Sequence, residues 1–419
     1  MTTAEETWTR PRLRPGVLLG PGQWRGEKLV HHVKDPQTGW YYRVGPREYF
    51  LLTRMDGTRT LDELAAEYAE VFRRRLGPES WQQLFAMLHR RQLLDGATDP
   101  AELARLTATA AENAARHKRG PLSARLPLLD PERLFSRLLP ALRPVFSWWF
   151  VLPALAAVLA LAGYVALHLP ELIGVVGGGH RPLVAVLAAV VITWTIVFLH
   201  ECAHGLTCRH FGGRVTEIGV MWRFPMLAPY CKVDDVVLFS PRRRVATAFA
   251  GVFVSMLALL PFAAIWIWGP PSGVPHDLSG TILLFGTVTA AVNLVPFLRL
   301  DGYYMLSHAL NLVDLRADSY RFYGRLLRGG PGAVAGYRTR DRVVYGSYGL
   351  ASLLFGLTLL VLLVRFWYVS LATWVGPFWA ITILAAEAVL VAAALGWLHR
   401  RRTRAGAHPA SPAGVAAAG

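Results

Sequence analysis

Short periodic runs of apolar residues in the first part of the chain give way, from Val145 onward, to long uninterrupted ones. Residues 20–97 carry the pattern of a small mixed fold. Val30-His31-His32-Val33 and Tyr41-Tyr42-Arg43-Val44 read as strands around the turn segment Asp35-Pro36-Gln37-Thr38-Gly39. Three helices are predicted to follow, over Arg47–Met55, from Thr60, and over Pro78–Leu93. Thr60 and Glu63 have capping-box spacing, and Leu61, Leu64, Ala65 and Tyr68 then share one face. Trp81, Leu84, Phe85 and Leu88 form the apolar stripe of the third helix.

Residues 98–144 read as a connector, with an alanine-rich polar helix (Ala101–His117) before a basic, proline-interrupted stretch (Lys118–Arg143). There Leu134, Phe135, Leu138, Leu139 and Leu142 alternate with Arg133, Arg137 and Arg143. That pattern suits an amphipathic helix on a membrane surface and, equally, a solvated linker.

Over residues 145–399 six segments are long enough for a bilayer core of about 20 residues. They are Val145–Leu169, Pro182–Cys208, Val245–Trp268, Gly280–Leu300, Val343–Val369 and Pro377–Leu398. Trp148, Trp149, Trp266, Trp268, Trp367, Tyr368, Trp374 and Trp397 cluster near span ends, as in an interfacial belt. Met1–Trp24 has no apolar core of a secretory signal, so the N-terminus is expected in the cytoplasm. The loops after the second and fourth spans and the 400–419 tail then also lie inside. They hold Arg209, Arg214, Arg223, Lys232 and Arg242–Arg244, then Arg316, Arg321, Arg325, Arg328, Arg338, Arg340 and Arg342, then Arg400–Arg402 and Arg404. The other side has Arg181, with Arg365 near a span end. This charge bias predicts a multi-pass protein of the cell membrane.

Composition agrees. An apolar content of 53 % conflicts with a net charge of +16 in a soluble globule but not in a membrane protein with basic loops. The arginines are spread among loops and not gathered on one domain, which argues against a nucleic-acid partner. Three cysteines make no disulfide framework. Cys202 lies off the histidine face of its helix. Cys208 and Cys231 read as metal ligands or as small packing residues.

The chemistry sits at the end of the second span. In His200-Glu201-Cys202-Ala203-His204 the two imidazoles lie one helical turn apart on one face, where both can reach one Zn²⁺. Glu201 is left to take a proton from water. Ionisable groups inside spans are expensive and mark function. Besides these three, and setting aside His168 and Arg365 at outer span ends, the spans hold Asp301, at the end of the fourth, and Glu387 in the sixth. Spans two and four run in the same direction, so Asp301 ends on the side of the histidines. It is the natural third ligand, with one position left for water. His210 is a competing ligand, but Thr207 stands where the extended zincin pattern has the glycine that folds such a histidine back. Glu387 is given a structural role, and Arg299 that of an interfacial anchor.

His200–His204 followed by Phe211-Gly212-Gly213, and Asn293-Leu294-Val295-Pro296 running into Leu300-Asp301-Gly302, resemble the intramembrane site-2 protease family. The Pro225–Asp235 insertion and Gly302-Tyr303-Tyr304-Met305 are similar to its bacterial peptide zinc metalloprotease branch. The resemblance covers most of Val145–Leu398. It implies that His200, His204 and Asp301 bind zinc, that Glu201 is the general base, and that Asn293 lies near the site, holding substrate backbone or oxyanion. One departure is Ala250-Gly251-Val252-Phe253-Val254-Ser255, where many relatives have Gly-Pro; Gly251 and Ser255 keep small-xxx-small spacing. The N-terminal strand–turn–strand and three helices resemble PqqD-like winged-helix domains, which capture leader peptides along a sheet edge. A regulatory or scaffolding domain fits the same segment.

The expected fold class is thus mainly α: a six-span polytopic helix bundle with a small N-terminal cytosolic α+β, winged-helix-like domain. The expected activity is that of a zinc metalloendopeptidase acting on a peptide or membrane-protein substrate, with the lipid bilayer and peptide-export machinery as further partners. The alternative is a membrane-anchored peptide-binding or export accessory factor with a non-catalytic metal. An accessory factor has no need of Glu201. A zinc transporter would need further polar residues along its spans.

Overall fold

In the N-terminal region a run of alternating residues becomes the middle of a sheet. β1 (Leu18–Leu19) and β2 (Gln23–Arg25) pair along one side of β3 (Lys28–Lys34), and β4 (Tyr41–Val44) pairs on the other, all antiparallel. The β3–β4 turn is knotted by Asp35, which accepts from Thr38 Oγ1 at 2.7 Å and from the Gln37 amide at 3.0 Å. Three helices close over the sheet: α1 (Pro46–Leu52), α2 (Leu61–Phe72) and α3 (Pro78–Arg90). Thr60 and Glu63 form the reciprocal capping box at α2. Leu64, Tyr68, Leu84, Phe85 and Leu88 meet Val33, Val44 and Leu51 in one core.

The computed structural model describes residues 9–117, 119–120, 123–129, 131–177, 182–223 and 226–405. Lys118, Arg181, Pro225, the first eight residues and the end of the 400–419 tail, from 406, lie outside them. The chain forms two compact units, Met1–Tyr345 and Gly346–Gly419.

Residues 98–144 are more than a connector. After α4 (Pro100–His117) come β5 (Arg119–Gly120) and β6 (Ser123–Leu129), which join the hairpin β7 (Glu217–Arg223) and β8 (Met226–Lys232) in one antiparallel sheet of order β5-β6-β7-β8. Proline and arginine in Ser123–Leu129 hide the strand from a hydropathy reading; pairing with Val220 and Met221 decides it. α5 (Pro131–Leu142) is the predicted amphipathic helix. Phe135 is buried with Cys208, Val215, Ile218 and Phe239, while Leu134 and Leu138 stay exposed. The helix is therefore docked, and the solvated-linker reading falls.

The membrane part is mainly helical. α6 (Trp148–Leu167) and α7 (Leu169–Gly177) lead to α8 (Leu183–His210), and α9 (Pro241–Ala258) continues into α10 (Leu260–Trp268) around Pro261. α11 (Val274–Asn293), α12 (Asp301–Ala309) and α13 (Leu315–Gly329) follow, then α14 (Thr339–Val375) and α15 (Pro377–Ala405). Among the described residues five helices are long and apolar enough to cross a membrane: Trp148–Leu167, Leu183–His210, Pro241–Trp268, Thr339–Val375 and Pro377–Ala394. The expected span Gly280–Leu300 is not one of them. Its helix begins earlier, with His276 and Asp277 in its first turn, and stops at Asn293. A core of Leu161, Val165, Ile196, Val252, Met256, Leu259, Trp266 and Leu283 ties α6 and α8–α11 together. In the second unit, α14 and α15 expose Leu357, Leu360, Leu363, Ile381 and Val389 all round, the pattern of helices with an apolar solvent.

The N-terminal sheet is built into the first unit. Trp24 of β2 exchanges backbone hydrogen bonds with Asn311 and Val313, at 3.0 and 2.9 Å, so the α12–α13 connection extends that sheet edge. Lys34 and the Tyr41 hydroxyl both donate to buried Asp235, which lies between β8 and α9. Gly26 N donates to Asp318 of α13 at 2.9 Å.

Candidate metal centre

Three elements converge on the histidines. α8 carries His200 and His204 one turn apart, 7 % and 8 % exposed, with their Nε2 atoms 3.2 Å from each other. α12 opens with Asp301, whose Oδ2 lies 2.9 Å from His200 Nε2 and whose Oδ1 lies 3.4 Å from His204 Nε2. α9 backs both rings. Ser255 Oγ lies 3.0 Å from His200 Nδ1, and the Thr247 carbonyl accepts from His204 Nδ1 at 2.7 Å. Between them Gly251 leaves room: a Cβ there would lie 2.6 Å from His200 Nε2 and 2.5 Å from His204 Nε2.

Asp301 arrives by a tight turn. α11 ends at Asn293, the chain turns through Val295-Pro296, and α12 begins at Asp301. Gly302 packs against the backbone of Leu294, where any side chain would collide with the Leu294 carbonyl. The Asn293–Pro296 and Leu300–Gly302 segments are therefore two sides of one turn, and the residues after Asn293 and Asp301 touch. Asn293 itself is half-buried, and its amide makes no hydrogen bond among the described residues. It is not one of the three residues of the His–His–Asp cluster.

The donor set fits a divalent metal ion. A carbonyl only accepts, so His204 carries its proton on Nδ1 and turns the Nε2 lone pair toward His200 and Asp301. Asp301 Oδ2 is buried and has no hydrogen-bond donor. Two ring nitrogens and a carboxylate brought together in this way suit a shared cation. The three ligand atoms all fall within 4.8 Å of one another. Ser255 and Thr247 hold the rings from behind, as outer partners of metal-binding histidines do. In the sequence, Gly251 and Ser255 mark a helix contact, and nothing marks Thr247. Their signal is a small-polar face on the helix beside the histidines.

Glu201 lies at the flank. It is half-buried, and its Oε2 accepts from the Cys231 amide of β8 at 2.9 Å. β8 is the outer strand of its sheet, so a strand edge runs beside this carboxylate. The Cys231 thiol is pushed up by burial and then by the Glu201 charge, which keeps it protonated. Cys208 is fully buried in an apolar cluster. Neither belongs to the ligand group among the described residues. His210 stacks on Phe146, with ring centroids 4.0 Å apart and planes 6° from parallel, and is taken up by that contact. Arg299 is exposed, over the Tyr303 ring. Glu387 is exposed and has no ion-pair partner among the described residues.

No family model matches this chain, and no curated protein or solved structure matches it.

Proposed function

We propose that the protein is a membrane-embedded zinc endopeptidase that hydrolyses a peptide bond in a peptide or membrane-associated substrate. The observation that carries this reading is the convergence of His200, His204 and Asp301 beside Glu201 at the end of an apolar helix. Two nitrogens and a carboxylate oxygen are the donor set of a catalytic zinc with an open position. Bound there, Zn²⁺ would acidify a water and polarise the substrate carbonyl. Glu201 accepts the proton of the attacking water as its oxygen bonds to the carbonyl carbon. The same carboxyl then hands that proton to the leaving nitrogen as the C–N bond breaks. The products are a new carboxyl terminus and a new amine. The Cys231 N–H steadies Glu201, and an extended substrate along β8 would bring its carbonyl past that carboxylate. Asn293, on the other side of the turn, would bind substrate backbone or the developing oxyanion.

The same reading takes Gly280–Leu300 as a sixth, broken span, interrupted at the turn that delivers Asp301. It takes the N-terminal region as a cytosolic, PqqD-like winged-helix domain that receives a ribosomally made peptide, in a protein of the cell membrane whose active site faces the cytoplasm. With the β2 edge occupied by Leu312, β4 is the edge left for such a peptide, since it pairs with β3 alone.

The test is peptide processing in cells that carry the wild type, Glu201→Gln or His204→Ala. Both variants should be inactive, and Glu201→Gln should keep its metal. Full processing by Glu201→Gln would refute the protease reading.

A further inference from the structure

About two helical turns from the metal cluster, along the seam where α9 packs on α12, lies a cation without a counter-charge. Arg244 precedes Gly251 by two turns, and His308 follows Asp301 by two. Arg244 is wholly buried. Its Nη2 donates to Asn311 Oδ1 at 2.6 Å, but Nε and Nη1 are buried with no acceptor. Among the described residues no carboxylate pairs with it. Burying an ionised group unpaired is among the costliest arrangements in a protein.

The surroundings share one character. His308 Nδ1 is also buried without a partner. Burial, and then Arg244, hold His308 at about 4, and burial followed by Arg43 and Arg244 holds His32 of β3 at about 4. Both imidazoles are therefore neutral near pH 7, each with an N–H to give and no charge to add. The sequence around Arg244 points the same way independently. Arg242-Arg243-Arg244 fill the first turn of α9, which has no acidic residue. The positive end of a helix dipole repels cations and attracts an anion.

We propose that Arg244, held by Asn311 on the seam that also carries His308, binds a small inorganic anion of chloride size between the N-terminal domain and the helices of the candidate metal centre. Complete burial favours a monovalent, monatomic ion, which accepts hydrogen bonds from any direction and sheds its water more readily than a divalent oxyanion. A water molecule could accept the free N–H groups but would leave the charge unbalanced. Asn311 links this site to the N-terminal domain, because its Nδ2 donates to the Gly22 carbonyl at 2.9 Å while its Oδ1 holds Arg244. The anion would thus fasten the N-terminal sheet to the start of α9.

The test uses the full chain purified in detergent, in gluconate at constant ionic strength, with chloride or bromide titrated in. The wild type should gain several degrees in thermal midpoint, saturably and with either halide. Arg244→Met should lose that dependence. Because such a variant can fail to fold, crystals of the wild type soaked in bromide supply a second measurement, an anomalous peak at the Arg244 guanidinium. No halide dependence in the wild type, an unchanged dependence in Arg244→Met, or no peak at Arg244 would each overturn the proposal. None of these readouts requires the protein to be a protease.

Discussion

A Cβ on Gly251 would lie 2.6 Å from Nε2 of His200, so α9 can close on the two histidines only where it has no side chain. The small residues of α9 thus shape the candidate metal site as well as the helix contact.

Gly251→Ala should therefore cost metal. In an ordinary helix the change would gain about 1 kcal/mol in propensity. Here the methyl displaces both imidazoles, and zinc content measured on the purified protein should fall to background while the helix content is kept. Ser255→Ala removes only the partner of His200 Nδ1 and should weaken zinc by about 10–100-fold.

Asp301→Ala should lose the metal and His210→Ala should keep it. Asp301 is within 2.9 Å of His200, whereas His210 is stacked on Phe146. Zinc retained by Asp301→Ala and lost by His210→Ala would place the third ligand on α8.

Asp235 joins the N-terminal sheet to the metal-site half of the unit. Burial raises its carboxyl, but the hydrogen bonds from Lys34, Tyr41 and the Arg214 amide outweigh that and hold it below the usual carboxylate range. A carboxyl lowered in the folded state contributes stability above its unfolded value and loses it as pH falls through the folded one. Asp235→Asn leaves Lys34 buried alone and should cost about 3–5 kcal/mol at neutral pH. Acid unfolding followed by circular dichroism should then be less steep than in the wild type.

Deleting residues 1–97 should destabilise the membrane part as well as remove a domain. It uncovers Leu312, 1 % exposed, and leaves Asp235 and Asn311 without their partners on the sheet. A lower thermal midpoint for the remaining chain is expected; an unchanged midpoint would make the N-terminal domain a detachable module.

Phe135→Ala should loosen the contact between α5 and the end of α8. A buried phenylalanine cut to alanine costs about 3–5 kcal/mol. Proteolysis between α4 and α5 should become faster, since Phe135 is the buried anchor of a helix whose Leu134 and Leu138 are exposed.

What the sequence determined by itself was local. The long apolar helices, the capping box at Thr60 and the one-turn spacing of His200 and His204 follow from periodicity and from residues within a few positions of each other. Asp301 could be reached as well, because the loop charges predict that the segment before it runs in the same direction as the helix of the histidines. The tertiary structure decided what depends on partners far along the chain. Ser123–Leu129 is a strand because β7 lies beside it, and β2 gains an edge partner almost 300 residues away at Leu312. The apolar run at Gly280–Leu300 breaks at Asn293, where Gly302 folds back on Leu294 and delivers Asp301. Hydropathy records how much a residue avoids water and nothing about which neighbour covers it. The roles of Gly251, Thr247 and Ser255 therefore came only with the packing of α9 on the histidines.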